Sequence, residues 1–369
     1  MNITPQTEVR RDVAESGKWE AESGILRESY KSISLYSPNR APCRVDLCDN
    51  TNLWGAPPAV RRLVESAADP AITRYPRAYA DELKRAIAEY LNVPSGWVVT
   101  GCGSDDVLDS AIRAFSEPGQ VFAYPDPSFP MVEIFARMNG LVPQPIPLRG
   151  DYDVDADAFI ASGASVIYLC SPNNPTGTPL SRASVERIIA DATGIVILDE
   201  AYAEFADKDF LDLLSGSDRL ILTRTLSKAF GLAGLRVGYA VAAPDLAREI
   251  EKSRGPYKVS HLAEQAGIAA LTEDRQWVSD RIADARDARA RLTRELSLRG
   301  FAAIESQANF VLVPAQGADR MSAHMRKLGV AVRPFPRLTG IGDAIRITVG
   351  PWSMMEECLA ALNEALSCE

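Results

Sequence analysis

Histidine is nearly absent from this chain, and its cysteines are scattered. Only His261 and His324 occur in 369 residues, and the six cysteines form no CxxC pair. Zinc sites usually take their ligands from closely spaced residues of these types, so the sequence predicts no metal site. It also lacks the cysteine-dense character of small secreted disulfide scaffolds. Free thiols indicate a reducing compartment, and we expect the cytoplasm.

The chain also lacks a basic surplus and a long apolar run. Acidic residues outnumber basic ones by 49 to 40, which gives a formal net charge of −9. Proteins that bind nucleic acid present clustered positive charge, so we expect no such partner. No apolar run approaches the roughly 20 residues that a membrane span needs. Residues 1–30 are polar and contain no apolar core of signal-peptide length.

Short β-branched or aromatic runs alternate with amphipathic helical segments over residues 73–242. This alternation predicts an α/β domain with a mostly parallel sheet. The predicted strands are 97–100, 121–124, 166–170, 195–198, 220–223 and 237–241, and the clearest helices are 81–92 and 104–115. Further on, helices 280–299, 318–328 and 354–366 with strands 309–313 and 345–349 predict a second, smaller α+β unit.

Three predicted strands run directly into unusual polar sequences. The segments are SPNNPTG after 166–170, DEAY after 195–198 and RTLSK after 220–223. Ligands of open α/β sheets gather at the carboxyl ends of the strands. We therefore expect these segments to form one site.

Lys228 follows two hydroxyl residues, Thr225 and Ser227, and precedes Arg236. A lone loop lysine is usually a solvated cation, but these neighbours supply the donors that a phosphate dianion needs. Burial beside a second cation would lower the pKa of Lys228 and make it a nucleophile toward carbonyls.

Other segments offer a carboxylate, an amide and a glycine turn. Asp199 ends an apolar run, where a buried carboxylate needs a cationic partner unless it merely caps a turn. Asn174 lies in a sequence that alone would indicate only a tight turn. The glycines at 101 and 103 resemble a dinucleotide fingerprint, but Asp106 stands where the third glycine is required. A helix beginning there still offers free N–H groups to a phosphate.

Together these segments resemble fold-type I pyridoxal-phosphate aminotransferases, and most closely the histidinol-phosphate aminotransferase branch, over nearly the whole chain. The resemblance implies a large domain at 49–245, with a mostly parallel seven-stranded sheet flanked by helices. A smaller α+β domain at 246–369 completes the implied fold, together with residues 1–48 as an N-terminal arm or as part of the small domain.

The resemblance also implies roles for individual residues around pyridoxal phosphate. Lys228 forms the Schiff base and acts as general base, Asp199 holds the ring nitrogen, and Tyr202 and Asn174 contact the ring oxygen. Phe129 stacks on the ring, with a core aromatic under a proline-rich loop as the alternative interpretation. The phosphate contacts are Gly103, Ser104, Asp105, Thr225, Ser227, Arg236 and, from the neighbouring subunit of a homodimer, Tyr75. Tyr75 alone would be read as part of a surface turn.

For the substrate, the resemblance implies an arginine clamp. Arg346 binds the anionic end, Arg333 is a second phosphate-facing arginine, Asn174 borders the substrate, and Tyr36 closes over it. The implied reaction is ping-pong transfer of an amino group from histidinol phosphate, or a related L-amino acid, to a 2-oxo acid such as 2-oxoglutarate.

Two departures from the branch keep other amino donors open, either an amino acid or an intermediate of secondary metabolism. Thr51 replaces the usual glutamate, and Phe129 stands where tyrosine is frequent. A lyase, decarboxylase or oxidase of secondary metabolism on the same fold is a further alternative, because pocket geometry decides which bond of the bound substrate breaks. A pyridoxal-phosphate-sensing regulator is a remote one, because no basic DNA-binding module precedes the resemblance.

Overall fold

A computed structural model describes residues 27–35 and 41–367 of the chain. Residues 27–35 belong to a separate unit and contain one helical turn, α1 (Glu28–Lys31). There the Arg27 guanidinium lies 5.3 Å from the centre of the Tyr30 ring. Tyr36, the predicted substrate-closing residue, lies outside the described residues.

Residues 41–367 contain alternating strands and helices. The strands are β1 (Val45–Asp46), β2 (Val98–Cys102), β3 (Val121–Asp126), β4 (Val142–Pro147), β5 (Val166–Cys170), β6 (Ile195–Asp199), β7 (Leu220–Thr225), β8 (Val237–Ala242), β9 (Phe310–Pro314), β10 (Val330–Ala331), β11 (Arg333–Leu338) and β12 (Gly342–Thr348). The helices are α2 (Pro58–Glu65), α3 (Pro70–Thr73), α4 (Asp81–Leu91), α5 (Gly103–Ala114), α6 (Met131–Met138), α7 (Ala156–Ala161), α8 (Arg182–Asp191), α9 (Pro244–Arg254), α10 (His261–Thr272), α11 (Arg275–Leu298), α12 (Ala318–Lys327) and α13 (Trp352–Ser367).

The main sheet has seven strands in the order β2-β8-β7-β6-β5-β3-β4. Strands β7, β6, β5, β3 and β4 are parallel to their neighbours in that series, whereas β8 is antiparallel to both β7 and β2. The predicted fold, a mostly parallel seven-stranded sheet with flanking helices, is therefore confirmed.

Each face of this sheet packs against its own helices, because successive side chains of a strand point to opposite faces. On β5, Tyr168 and Cys170 join the core formed with α5, α6 and α9, while Ile167 and Leu169 join the core formed with α4, α8 and α10. Cys170 lies opposite Asp199 in the parallel register. Asp199 therefore projects from the same face as Tyr168 and Cys170.

Two smaller sheets follow in the chain. Strands β11, β12 and β9 form an antiparallel sheet in that order, and β1 pairs in parallel with β10. The register places Arg333 directly opposite Arg346 on neighbouring strands. The domain boundaries at residues 48 and 245 remain a prediction.

Most predicted elements are present with ends shifted by a few residues. Helix α11 begins at Arg275 rather than at 280, and β12 begins at Gly342 rather than at 345. Strand β4, at the edge of the main sheet, and helices α9 and α10 were not predicted. Among the described residues, no helix combines the length and apolar character that crossing a membrane requires.

Candidate active site

The carboxyl ends of β5, β6 and β7 bring the predicted segments together, as the sequence indicated. Asn174 lies in the loop after β5, Asp199 is the last residue of β6, and Thr225 is the last residue of β7. Neighbouring parallel strands end at the same edge of the sheet, so three polar segments separated in sequence share one place.

Lys228 is half-buried near the end of β7. Its Nζ donates to the carbonyl oxygen of Asp49 over 3.1 Å and lies 5.8 Å from the centre of the Tyr202 ring. Burial and the positive charge of Arg346 lower the pKa of Lys228 from 10.5 to about 8. The neutral, nucleophilic form of this amine is therefore far more populated near neutral pH than in an ordinary lysine.

Asp199 is a buried carboxylate, 4% exposed. Oδ2 accepts a hydrogen bond from Tyr168 Oη at 2.9 Å, while Oδ1 accepts from the Ala201 N–H at 3.2 Å and the Thr223 hydroxyl at 3.3 Å. No ion pair to Asp199 occurs among the described residues. Burial raises its pKa to about 6. A cationic ligand would offset the cost of this buried charge.

Tyr202 lies beside Lys228 and is nearly fully buried. Its oxygen accepts a hydrogen bond from Asn50 Nδ2 at 3.0 Å, and its ring packs edge-on against Phe310 at 5.1 Å. Burial raises the pKa of Tyr202 well above its ordinary value, so the phenol keeps its proton. The hydroxyl hydrogen is available to a ligand, because the described residues offer it no acceptor.

A cradle for an anion lies where α5 begins. Gly103 has φ of +81°, and a Cβ added there would lie 2.2 Å from Arg236 Nη2. A Cβ added at Gly238 would lie 2.1 Å from the Ser104 nitrogen. These glycines let the chain approach Arg236 and the first turn of α5, where N–H groups lack helical partners. A helix N-terminus of this kind attracts phosphate.

Arg236 and two hydroxyls complete the cradle. Arg236 Nη1 lies 3.5 Å from Ser227 Oγ, and Nη2 lies 3.4 Å from an Asp105 carboxylate oxygen. The Thr225 hydroxyl lies 2.9 Å from Ser227 Oγ and accepts from the Ser227 N–H at 3.1 Å. The Asp105 carboxylate contacts Arg236, which leaves its backbone N–H as the group for an anion.

Arg346 is a buried guanidinium, 7% exposed, beside Asn174. Nη1 donates to Asn174 Oδ1 at 2.5 Å and Nη2 donates to the Cys48 carbonyl at 2.6 Å, while the buried Nε has no partner among the described residues. Burial lowers the pKa of Arg346, and so does the charge of Arg333. In the described part of the chain neither arginine forms an ion pair with a carboxylate.

The remaining predicted residues have different settings. Phe129 is half-buried against the core that contains Tyr168 and Cys170, near the site. Tyr75 is 86% exposed, and its ring lies 5.1 Å from that of Tyr257. Within the described residues of this one chain, Tyr75 has no contact with the other site residues.

Sequence reasoning missed the residues that hold the predicted ones. Tyr168 and Thr223 bind Asp199, Asn50 binds Tyr202, and the carbonyls of Cys48 and Asp49 accept from Arg346 and Lys228. Only Tyr168 could have been found from the sequence, because a tyrosine within the apolar run VIYLC needs a buried partner for its hydroxyl. The carbonyl contacts leave no signal in residue type.

The donor set fits pyridoxal phosphate. The buried carboxylate of Asp199 lacks a cation, as a site for a protonated ring nitrogen requires, and the glycine cradle beside Arg236 suits a phosphate. Lys228, with its lowered pKa, suits an aldehyde. The described residues contain no His, Cys, Asp or Glu cluster that could hold a metal ion.

Comparisons with known proteins agree with this chemistry. The profile of the family described as aminotransferase class I and II matches residues 44–362. The chain is similar to a histidinol-phosphate aminotransferase of a Thermoanaerobacter species, with 34% identity over 93% of this chain and 99% of that protein. It is likewise 34% identical to a histidinol-phosphate aminotransferase of Methanosarcina mazei, over 96% and 97% of the two chains.

A solved structure shows the same architecture. The crystal structure of histidinol-phosphate aminotransferase from Sinorhizobium meliloti, in complex with pyridoxal-5'-phosphate, superposes with a TM-score of 0.84. The match has 25% sequence identity and covers 94% of this chain and 99% of that one.

Proposed function

Since this chain belongs to the class I and II aminotransferase family and is a pyridoxal-phosphate-dependent aminotransferase, we propose that its amino donor is histidinol phosphate or a closely related L-amino compound. The amino acceptor in this proposal is a 2-oxo acid such as 2-oxoglutarate. The names of the relatives support this choice, and the pairing of Arg333 with Arg346 is the observation that carries it.

Arg333 and Arg346 are register partners on adjacent antiparallel strands. Two guanidinium groups repel each other, and Arg346 is also buried, so their juxtaposition is unfavourable unless an anion lies between or beside them. Arginine forms bidentate hydrogen bonds with phosphate and carboxylate oxygens. Such a pair suits the phosphate ester of an amino donor and, in the second half of the reaction, a carboxylate of the acceptor.

We propose the following cofactor-binding roles, which the contacts described above support. Asp199 would hold the protonated ring nitrogen, Tyr202 and Asn174 would donate to the ring oxygen, and Phe129 would cover one ring face. The residues that would hold its phosphate are Gly103, Ser104, Asp105, Thr225, Ser227 and Arg236. When bound, pyridoxal phosphate supplies the carbonyl that takes the amine and a ring that withdraws electrons from the substrate's α-carbon.

Lys228 is the proposed proton carrier. Its amine, with a pKa lowered to about 8, would remove the α-proton of the bound donor at Nζ and would then donate it to the cofactor carbon that retains the amino group. Arg346 keeps this amine poised, because its positive charge disfavours the ammonium form. Asn174 Oδ1 accepts from Arg346, which leaves the amide nitrogen of Asn174 free to donate.

We also propose a cytoplasmic homodimer with shared active sites. The exposure of Tyr75, at 86%, and of Ile72, at 71%, supports a surface that a second copy covers. In the dimer Tyr75 reaches the phosphate of the partner's cofactor. The cysteines of the described residues are all free thiols, which supports a reducing compartment.

The decisive experiment compares histidinol phosphate with histidinol, which lacks the phosphate. The kcat/KM ratio of the two donors is measured for the wild type, Arg333→Met and Arg337→Met, with 2-oxoglutarate as acceptor. Arg337 lies on the same strand but is exposed, so it is the matched control. We expect Arg333→Met to lower the ratio about 10- to 100-fold and Arg337→Met to leave it unchanged. A wild type that does not prefer histidinol phosphate contradicts the proposal.

A further inference from the structure

The two oxygens of the Asp199 carboxylate are not equivalent. Oδ1 accepts two hydrogen bonds, from Ala201 and Thr223, whereas Oδ2 accepts one, from Tyr168. Each carboxylate oxygen offers about two lone-pair sites. Oδ1 is therefore filled, and Oδ2 keeps one acceptor site that no described residue occupies.

Tyr168 can only act as a donor here. Its side chain has 0% exposure within the core on one face of the main sheet. Burial, and then the charge of Asp199, raise its pKa well above the ordinary value, so the phenol stays protonated. Tyr168 and Cys170 are two residues apart on β5, so their side chains project from the same face of the sheet. Cys170 lies opposite Asp199 on β6, which brings the Tyr168 hydroxyl to Oδ2.

We propose that Tyr168 is a positioning residue for the transamination site: its hydroxyl fixes Oδ2 of Asp199 as the atom that receives the cofactor's ring N–H and keeps that carboxylate ionised. This inference rests on the proposed role of Asp199. Tyr168 does not touch substrate or cofactor itself. It acts through the carboxylate, which otherwise would rotate or take up a proton in its buried setting.

The groups around Asp199 determine how strongly the Tyr168 hydroxyl affects the pKa of this carboxyl. The groups that face it are Tyr168 and Cys170 from β5, Asp105 from the start of α5, Tyr202 after β6, and the uncharged Thr223 from β7. Burial is the largest influence and raises the pKa of Asp199 to about 6, with Asp105 adding to the rise. The hydrogen bond from Tyr168 is the strongest opposing influence.

Removing the Tyr168 hydroxyl therefore raises the pKa of Asp199 further, closer to neutral pH. Protonation of Asp199 weakens cofactor binding, because a neutral Asp199 does not attract a protonated ring nitrogen. Affinity for the cofactor is present above the pKa of Asp199 and is lost as the pH falls through it. In Tyr168→Phe this loss begins at a higher pH than in the wild type.

The test measures binding of pyridoxamine phosphate to apoenzyme by equilibrium dialysis between pH 5.5 and 8.5. This probe forms no covalent bond with Lys228. The variants are Tyr168→Phe and the control Tyr239→Phe, which removes a fully buried hydroxyl that has no partner among the described residues. We expect Tyr168→Phe to weaken binding about tenfold at pH 7 and to move the acid loss of affinity up by about one pH unit. Tyr239→Phe should follow the wild-type curve.

Asp199→Asn separates the two possible failures. If Asp199→Asn binds the probe as tightly as the wild type at every pH, the proposed role of Asp199 is wrong. If Asp199→Asn weakens binding but Tyr168→Phe matches Tyr239→Phe, the inference about Tyr168 is wrong. In the Asp199→Asn background Tyr168→Phe should produce no pH shift, whereas a purely structural defect would persist. Thermal unfolding of each apoenzyme identifies any variant that does not fold.

Discussion

Asn50 donates a hydrogen bond from Nδ2 to the hydroxyl oxygen of Tyr202 over 3.0 Å, and both side chains are buried. Asn50 has a left-handed φ of 54°, a region that asparagine tolerates better than most residues. Its backbone N–H donates to Thr348 Oγ1, and its carbonyl accepts from Asn309 Nδ2, both at 3.0 Å. Since the Tyr202 oxygen accepts, its hydrogen remains for a ligand.

Asn50→Ala should therefore act through Tyr202. We expect kcat/KM to fall about tenfold, since one buried hydrogen bond that orients the phenol is lost. Tyr202→Phe should lower kcat/KM by a similar factor, and the double variant should lower it by little more than either single variant. Steady-state kinetics of the three variants form a double-mutant cycle. Fully additive losses would show that Asn50 does not act through Tyr202.

The lowered pKa of Lys228 should be visible in the stability of the apoenzyme. Burial is the largest influence that lowers this pKa, followed by Arg346 and then Arg236, while Asp105 and Asp49 raise it. Because the folded value of about 8 lies below the ordinary 10.5, protonated Lys228 destabilises the fold below pH 8. This cost disappears as the pH rises toward 10.5.

Lys228→Met should accordingly stabilise the apoenzyme by about 3 kcal/mol at pH 7 and by nearly nothing at pH 10.5. Urea unfolding at the two pH values measures the difference. The exposed Lys252→Met is the control, since its ammonium is mostly solvated. An equal effect of Lys228→Met at both pH values would mean that the pKa of Lys228 is not lowered by folding.

Gly103→Ala should weaken cofactor binding without unfolding the chain. The new Cβ would meet Arg236 Nη2, so the guanidinium must leave the cradle. Gly119→Ala is the matched control, because Gly119 also has positive φ, +88°, but no atom within 4 Å of the added Cβ. Both variants should lose about 1 kcal/mol of stability or more to backbone strain. Only Gly103→Ala should raise the dissociation constant of pyridoxal phosphate, measured by dialysis.

The buried ion pair of Arg224 and Glu200 should be the costliest contact to break near the site. Arg224 donates twice to Glu200 Oε2, at 2.9 and 2.7 Å, and the Glu200 side chain is 0% exposed. Arg224→Met leaves that carboxylate without its cation, which costs about 3–5 kcal/mol. Arg182→Met, which breaks an exposed pair with Asp212, should cost less than about 1 kcal/mol. Urea unfolding of both variants tests this, and equal losses would contradict it.

Mixed dimers test the shared site. Lys228→Ala and Tyr75→Ala subunits are each expected to be nearly inactive alone. In a hybrid dimer, the site with intact Lys228 receives intact Tyr75 from its partner. An equimolar mixture, reassociated after mild denaturation, should therefore regain about a quarter of wild-type activity, because half the dimers carry one intact site. No recovery, despite confirmed hybrid formation, would mean that Tyr75 serves its own subunit.

The main sheet and the outline of the site followed from sequence patterns because both depend on local signals. Strands β5, β6 and β7 are short apolar runs, and each ends at a motif whose residue types indicate its chemistry. The partners Tyr168 and Asn50 could not be assigned in the same way. Asn50 meets Tyr202 from 152 positions away, a contact that exists only in the folded chain.

Strand β4 escaped prediction for a definable reason. Its sequence VPQPIP has prolines at 143, 145 and 147, which read as a loop. In a strand these alternate positions direct their backbone nitrogens to the same side, and β4 pairs only with β3. Proline is tolerated on an edge strand when its missing N–H faces outward. The prolines therefore lie where no hydrogen bond is needed.

Residues 48–50 contact three site side chains in succession: the Cys48 carbonyl accepts from Arg346, the Asp49 carbonyl accepts from Lys228, and Asn50 donates to Tyr202. Substrate anchoring, proton transfer and ring tuning thus share one tripeptide backbone. For protein engineering, this segment cannot be treated as three independent positions, since residues in one network show non-additive effects. Variant libraries that aim to change the amino donor should keep the length and backbone of residues 48–50 fixed and vary the other side chains that line the site.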